Sequence, residues 1–225
     1  MNHNMAFKSL VLDIDGVLIR DRQLLNHVRD NCVRYVRNKV PACKQPNRLN
    51  GMLVSASGHT ARGLRDSFGI DTSDFNDSVY DVPVRTRLWD LLSSTEFQKE
   101  AAEIHKFTQT GWKVTLFTNA PMKWAGEVAH AISSEVYVQC PDDLLHSPLK
   151  PEPEAYNFPK HHTHIFVDDS MRNLHAAKRL PNWKPIHFNE HKTKSGYVTR
   201  TFPTIGSIWE LSLFISTVDL EINRS

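Results

Sequence analysis

The sequence predicts an α/β fold: a mainly parallel sheet with helices on both faces, interrupted after its first strand by a small α-helical domain. Three observations carry this. Short apolar runs alternate with segments of helical periodicity, the pattern of strand–helix–strand units. The stretch from residue 19 to residue 94 is far longer than one crossover helix needs. Aspartate-rich or Thr-Asn clusters follow three of the apolar runs, as on the ligand-binding edge of an open parallel sheet.

Each element follows in order. Phe7 to Leu12 reads as a buried strand ending in Asp13-Ile14-Asp15-Gly16. Leu24, Leu25, Val28, Cys32, Tyr35 and Val36 then recur with helical period. Val40 to Asn50, with Pro41, Pro46 and Asn47, reads as a loop. Helical pieces are expected over about 50–67 and 86–110, separated by loop and capping chemistry from Asp71 to Asp81. The run from Gly111 to Asn119 gives the second strand, and a helix follows Pro121 to about Ser133. Val136–Cys140 and His164–Asp169 give two more strands, with a helix near Asn173 to Arg179. Pro185–Phe188 is a fifth strand, and a last helix covers about Ile208 to Ile215. The expected division is a core of residues 1–18 and 95–225 with a helical cap at 19–94.

Composition narrows the function. A chain of 225 residues with 40% apolar side chains can bury a sizeable core without disulfides or a structural metal. Its 27 Lys and Arg nearly balance 25 Asp and Glu, which removes the bulk electrostatic argument for a nucleic-acid polymer or membrane surface. A local cluster can still hold a small anion. Met1 to Leu10 carries no signal-peptide pattern, and no apolar run approaches the ~18 residues of a membrane span. Three cysteines without CxxC spacing predict reduced thiols in a cytoplasmic protein. The 12 histidines have no functional account; His161, His162 and His164 precede the fourth strand, at the end opposite the site, and read as surface.

The chemistry lies at the strand ends. Asp13-Ile14-Asp15, Thr118-Asn119 and Asp168-Asp169 end three strands and should converge on one edge of the sheet. Lys150 falls in a loop near that edge. Carboxylates at Asp13 and Asp168, with Asp169 beside them, repel one another unless a hard cation joins them, and oxygen ligands suit magnesium. A lysine and a hydroxyl facing such an ion describe a phosphoryl-transfer site. Asp13 can serve as nucleophile. Asp15, two residues on, points to the same side of an extended backbone and can protonate a leaving oxygen. His59 and Arg62 lie three apart on a predicted helix, one face of which could look down on the site. Met122, Trp124, Phe107 and Trp112 read as core.

Assembled, these residues resemble the haloacid dehalogenase (HAD) superfamily of phosphatases. The segments that carry the resemblance are Asp13-Ile14-Asp15-Gly16-Val17-Leu18, Leu116-Phe117-Thr118-Asn119-Ala120, Lys150-Pro151 and Phe166-Val167-Asp168-Asp169-Ser170 with Asn173, in the order of the family's four motifs. Ser57-Gly58-His59-Thr60-Ala61-Arg62-Gly63-Leu64 is similar to a cap segment of the pyrimidine 5'-nucleotidases of that superfamily, although Ser57 and Gly16 depart from that group's pattern. The resemblance implies a Rossmann-like, HAD-like core with an inserted helical cap. It implies a magnesium-dependent phosphatase acting on a small phosphorylated metabolite, a nucleoside 5'-monophosphate first of all. Asp13 would attack phosphorus, with Asp15 as general acid and then base. Asp13, the backbone carbonyl of Asp15 and Asp168 would hold magnesium, supported by Asp169 and Asn173. Thr118, Asn119 and Lys150 would bind phosphate, and His59 and Arg62 would touch substrate. The alternatives are a hydrolase or phosphotransferase on another phosphometabolite such as a sugar phosphate, a dehalogenase, and a non-catalytic binding scaffold.

Overall fold

The computed structural model describes residues 7–141, 146–191 and 201–222. Strand β1 (Phe7–Leu12) is followed by α1 (Arg22–Lys39), α2 (Pro46–Ser57), α3 (Thr60–Phe68), α4 (Phe75–Val79), α5 (Val82–Leu92) and α6 (Thr95–Gln109). Then come β2 (Lys113–Phe117), α7 (Met122–Ile132), β3 (Tyr137–Gln139) and a short 3-10 turn (Pro153–Tyr156). Strand β4 (His162–Asp168), α8 (Met171–Lys178), β5 (Trp183–Phe188), β6 (Thr204–Ile205) and α9 (Trp209–Ile222) complete the described order.

The sheet runs β3-β2-β1-β4-β5-β6, and every pairing is parallel. Alternation along the strands builds a layer on each face. Leu10, Leu12, Val114, Leu116, Ile165 and Val167 pack on one side with α6, α7 and Ile208 and Leu211. Val11, Phe117 and Phe166 point the other way, against Tyr156, Leu174, Ala177 and Trp183. A third cluster, Tyr35, Val36, Leu53, Ala61, Leu64, Phe75 and Val79, closes α1–α4 on themselves and takes in Leu149 from the loop before Lys150. No helix among the described residues is long and apolar enough to cross a membrane.

Several sequence expectations change. The helical piece over 50–67 is two helices: Gly58 ends α2 in the left-handed region, and His59 caps α3. Pro46 lies in the first turn of a helix, where its missing N–H costs nothing, rather than in a loop. The piece over 86–110 divides at Ser94, whose hydroxyl accepts from Phe97 N. Phe75–Val79 forms a short helix inside the Asp-rich stretch. Val84, Leu88 and Leu92 of α5 lie on the cap side of the boundary expected at 95, yet they pack in the sheet's cluster, because α5 lies against α6 and α7. His164 is core and not surface: it is 1% exposed, stacked near Trp183 at 4.9 Å. Strand β6, only two residues long, had no readable pattern.

Candidate active site

The three central strands deliver the site. Asp13 extends β1 past its last residue, its N–H donating to Val167 O at 2.9 Å. Thr118 follows β2, and Asp168 ends β4. Because β2, β1 and β4 are neighbours, these side chains meet at one carboxyl edge. Lys150 reaches in from its loop, and its ammonium donates to Asp13 Oδ1 and Asp168 Oδ2, both at 2.8 Å. Asp13, Thr118, Lys150 and Asp168 are all buried. The rings of Phe117 and Phe166 flank the ammonium at 5.1 and 5.6 Å.

Each carboxylate has its own company. Asp13 Oδ1 also accepts from Ile14 N at 2.7 Å. Asp168 accepts from Ser170 N at 2.8 Å and from Asn173 Nδ2, which lies 3.1 Å from both oxygens. Asn173 thus orients Asp168. Trp124, expected only in the core, donates its indole N–H to Asp15 Oδ1 at 3.1 Å. Asp169 is exposed, and Gly16 is what makes room for it. Gly16 has φ +90°, and a Cβ there would overlap the Asp169 carboxylate.

Oxygens of Asp13, Asp168 and Asp169 lie within 4.8 Å of one another. At that separation two unit charges repel by roughly 3–4 kcal/mol for an effective dielectric near ~20. Burial, and then Asp168 and Asp169, push the Asp13 carboxyl well above the usual range, against the pull of Lys150. Burial raises Asp15 to about 6 despite the Trp124 hydrogen bond. Although Asp169 is exposed overall, its carboxylate is seated against Gly16, and that local desolvation, then Asp168, raises it to about 6. Burial works to neutralise Lys150, but Asp13 and Asp168 outweigh it and hold the ammonium charged. One buried lysine therefore faces an excess of oxygen-bearing acids, and a hard divalent cation fits that donor set.

A cavity of about 210 Å³ opens over the cluster, lined by Asp13, Asp15, Thr118, Lys150 and Asn173 and by His59 and Tyr80 from the helical insert. A larger open groove, about 640 Å³, lies at the amino ends of the strands beside Trp112, Tyr137 and His162, away from this chemistry.

Two expected contacts have other partners, and a third sits in the cavity wall from a different position than expected. The Asn119 side chain is spent on the backbone of Lys150: Nδ2 donates to Lys150 O and Oδ1 accepts from Lys150 N, both at 2.9 Å. It fixes the lysine and leaves only its own backbone for a phosphate. Arg62 does not line the cavity. It is buried, its Nη1 bonded to Glu152 Oε1 at 2.5 Å and its Nη2 to Ser147 O. The long guanidinium turns toward these acceptors in the Lys150 loop because a carboxylate and a carbonyl there satisfy its fork. His59 lies in the cavity wall at the N-cap of α3, one residue before the helix rather than on its face. Tyr80 and the Trp124 contact are the site residues the sequence reading missed. No motif marks Tyr80, which is brought in by α4.

No family model matches the chain, and no curated protein matches it in sequence. Solved structures do. A HAD phosphatase from Thermococcus onnurineus shares 16% identity over 93% of this chain and 98% of its own, with TM-score 0.57. A 2-haloacid dehalogenase from Pseudomonas syringae shares 14% over 94% and 99%, with TM-score 0.53. A protein described as a beta-phosphoglucomutase from Thermotoga maritima shares 17% over 94% and 100%, also with TM-score 0.53. Across nearly the full length of each, this chain has the HAD-like α/β fold.

Proposed function

We propose that the chain is a magnesium-dependent phosphatase that hydrolyses a small phosphate monoester through an aspartyl-phosphate on Asp13. The observation that carries this reading is the buried Lys150 ammonium shared equally between Asp13 and Asp168, with Asp15 one residue beyond Ile14. Asp13 Oδ1 is engaged by Lys150 and Ile14 N, which leaves Oδ2 to attack phosphorus.

The steps balance as follows. Asp13 Oδ2 forms a bond to phosphorus as the ester P–O bond breaks, and the departing oxygen takes the proton of Asp15. Asp15, now a carboxylate, accepts a proton from water. That water oxygen bonds to phosphorus, the Asp13–phosphorus bond breaks, and phosphate leaves. Burial keeps a proton on Asp15 up to about pH 6, close to the range a general acid needs. Thr118 and Lys150 would contact the phosphoryl oxygens. Asp13, the backbone carbonyl of Asp15, Asp168 and Asp169 are the oxygens that would hold magnesium. When bound, the ion supplies neutralising charge at the phosphoryl group.

A nucleoside 5'-monophosphate is the first substrate reading, supported by the Gly58–Leu64 segment. A sugar phosphate is the second, favoured by the compact cavity of about 210 Å³. Dehalogenation has no use for an acid at Asp15. The test is phosphate release from a panel of nucleotides and sugar phosphates with magnesium. Release should cease with chelator, and Asp13→Asn should abolish it. Folded protein that releases no phosphate from any monoester overturns the reading.

A further inference from the structure

On the proposed phosphatase reading, the leaving group must occupy the part of the cavity that the phosphate-handling residues leave open. His59 and Tyr80 line that part. His59 Nδ1 accepts the N–H of Ala61 at 3.2 Å, so in the neutral ring the proton sits on Nε2. The ring is braced edge-on by Phe75 at 5.0 Å. Burial, and then the charge of Arg62, lower its pKa to about 4, so at neutral pH it is a donor without charge. The Tyr80 ring lies 5.2 Å from that of Trp124, whose indole holds Asp15. The Tyr80 hydroxyl has no hydrogen-bond partner among the described residues, and burial and the nearby Asp15 push its ionisation far up. It too is a neutral donor beside the acid.

Charge completes the picture. Among the described residues lining the cavity, Lys150 is the single cation, and Asp13 and Asp168 already share it. Arg62, which could have supplied a second, is bound to Glu152 and Ser147. A second anionic group on a substrate would face Asp15 with no cationic side chain left among the lining residues to pair with it.

We infer that His59 and Tyr80 form a leaving-group subsite that selects monoesters whose leaving group is uncharged and carries a hydroxyl or carbonyl acceptor, such as a nucleoside or a pentose. Monoesters with a second anion, such as phosphoglycolate or a hexose bisphosphate, are excluded. The subsite acts on specificity, while the carboxylates act on phosphorus.

The experiment compares the full chain with Tyr80→Phe and His59→Asn, the latter retaining a capping side chain. Steady-state kinetics with magnesium would use a nucleoside monophosphate, ribose 5-phosphate, phosphoglycolate and methyl phosphate, whose leaving group carries no further acceptor. Calorimetric binding of each ester to Asp13→Asn, alone and combined with either substitution, gives a readout independent of turnover. We expect the wild type to favour the uncharged esters over phosphoglycolate by at least roughly tenfold. In each variant, kcat/KM for those esters relative to methyl phosphate should fall roughly tenfold, the size of one hydrogen bond. Binding should follow the same order. Preference for phosphoglycolate, or variants that lose turnover of these esters and of methyl phosphate equally, overturns the inference. The binding order kept without any turnover supports the subsite and overturns the phosphatase reading instead.

Discussion

At the scale of single residues, the site is organised by an imbalance: one buried ammonium and several acids. Lys150→Met would leave Asp13 and Asp168 buried without their cation. Breaking such a pair costs about 3–5 kcal/mol, and part of that returns when a carboxyl takes up a proton. Denaturant unfolding should show the loss, and phosphate release should disappear with it. Magnesium binding should depend on pH in a definite sense. Asp169 keeps its proton up to about pH 6, and Asp13 is raised as well. A protonated carboxyl does not ligate, so affinity should fall as pH drops through 6. Asp169 alone should weaken binding roughly fourfold between about pH 7.5 and 5.5, measurable by calorimetry, with protons released on binding in the acid buffer. Equal affinity at both values would remove Asp169 from the donor set. Asp13, Thr118, Lys150 and Asp168 were legible because each follows a strand or a Lys-Pro loop in recognisable order. The work of Asn119 was not, because its partner is the backbone of Lys150, 31 residues away.

At the scale of elements, helix α3 grips the loop that carries Lys150. Arg62 reaches Glu152 and Ser147, Glu152 Oε2 accepts from Leu149 N at 3.1 Å, and Leu149 is buried in the cluster of α1–α4. Arg62→Met should therefore act through Lys150. A misplacement of about an ångström can cost on the order of a hundredfold. We expect kcat to fall ten- to a hundredfold with a smaller change in KM, and Glu152→Gln to fall in the same direction. A rise in KM alone would return Arg62 to substrate binding. The sequence placed α3 but did not show the partners of Arg62, since helical spacing says which residues share a face and not which acceptors lie opposite. The same limit hid the α2–α3 break, where apolar periodicity continues across Gly58. Gly63 explains part of that motif: a Cβ there would press into Leu53 of α2.

At the scale of the whole molecule, two clusters line the sheet and a third closes the helical insert, yet Leu149 belongs to the third while its neighbour Lys150 belongs to the site. The insert cannot come apart without disturbing that loop. Phe75→Ala, in the insert's cluster, should cost about 3–5 kcal/mol. Unfolding followed by far-ultraviolet dichroism and by tryptophan fluorescence should still coincide in one transition. An early, separate transition in the variant would show an insert that melts alone. The alternation of strands and helices was readable over most of the chain because both faces of the sheet are covered and its central strands carry short apolar runs, Leu10–Leu12 and Ile165–Val167.

Strand β1 precedes both of its neighbours in sequence and lies in the middle of the sheet, with Leu10 paired to Val114 on one side and to Ile165 on the other. A nascent chain on the ribosome therefore makes the strand that leads into Asp13 long before either neighbour exists. The helices of the insert can form from local contacts while β1 waits, and the sheet closes only after β4 has emerged. Loop-closure entropy must then be met before the central pairings compensate it, which makes this a slow topology and leaves an apolar strand exposed during synthesis.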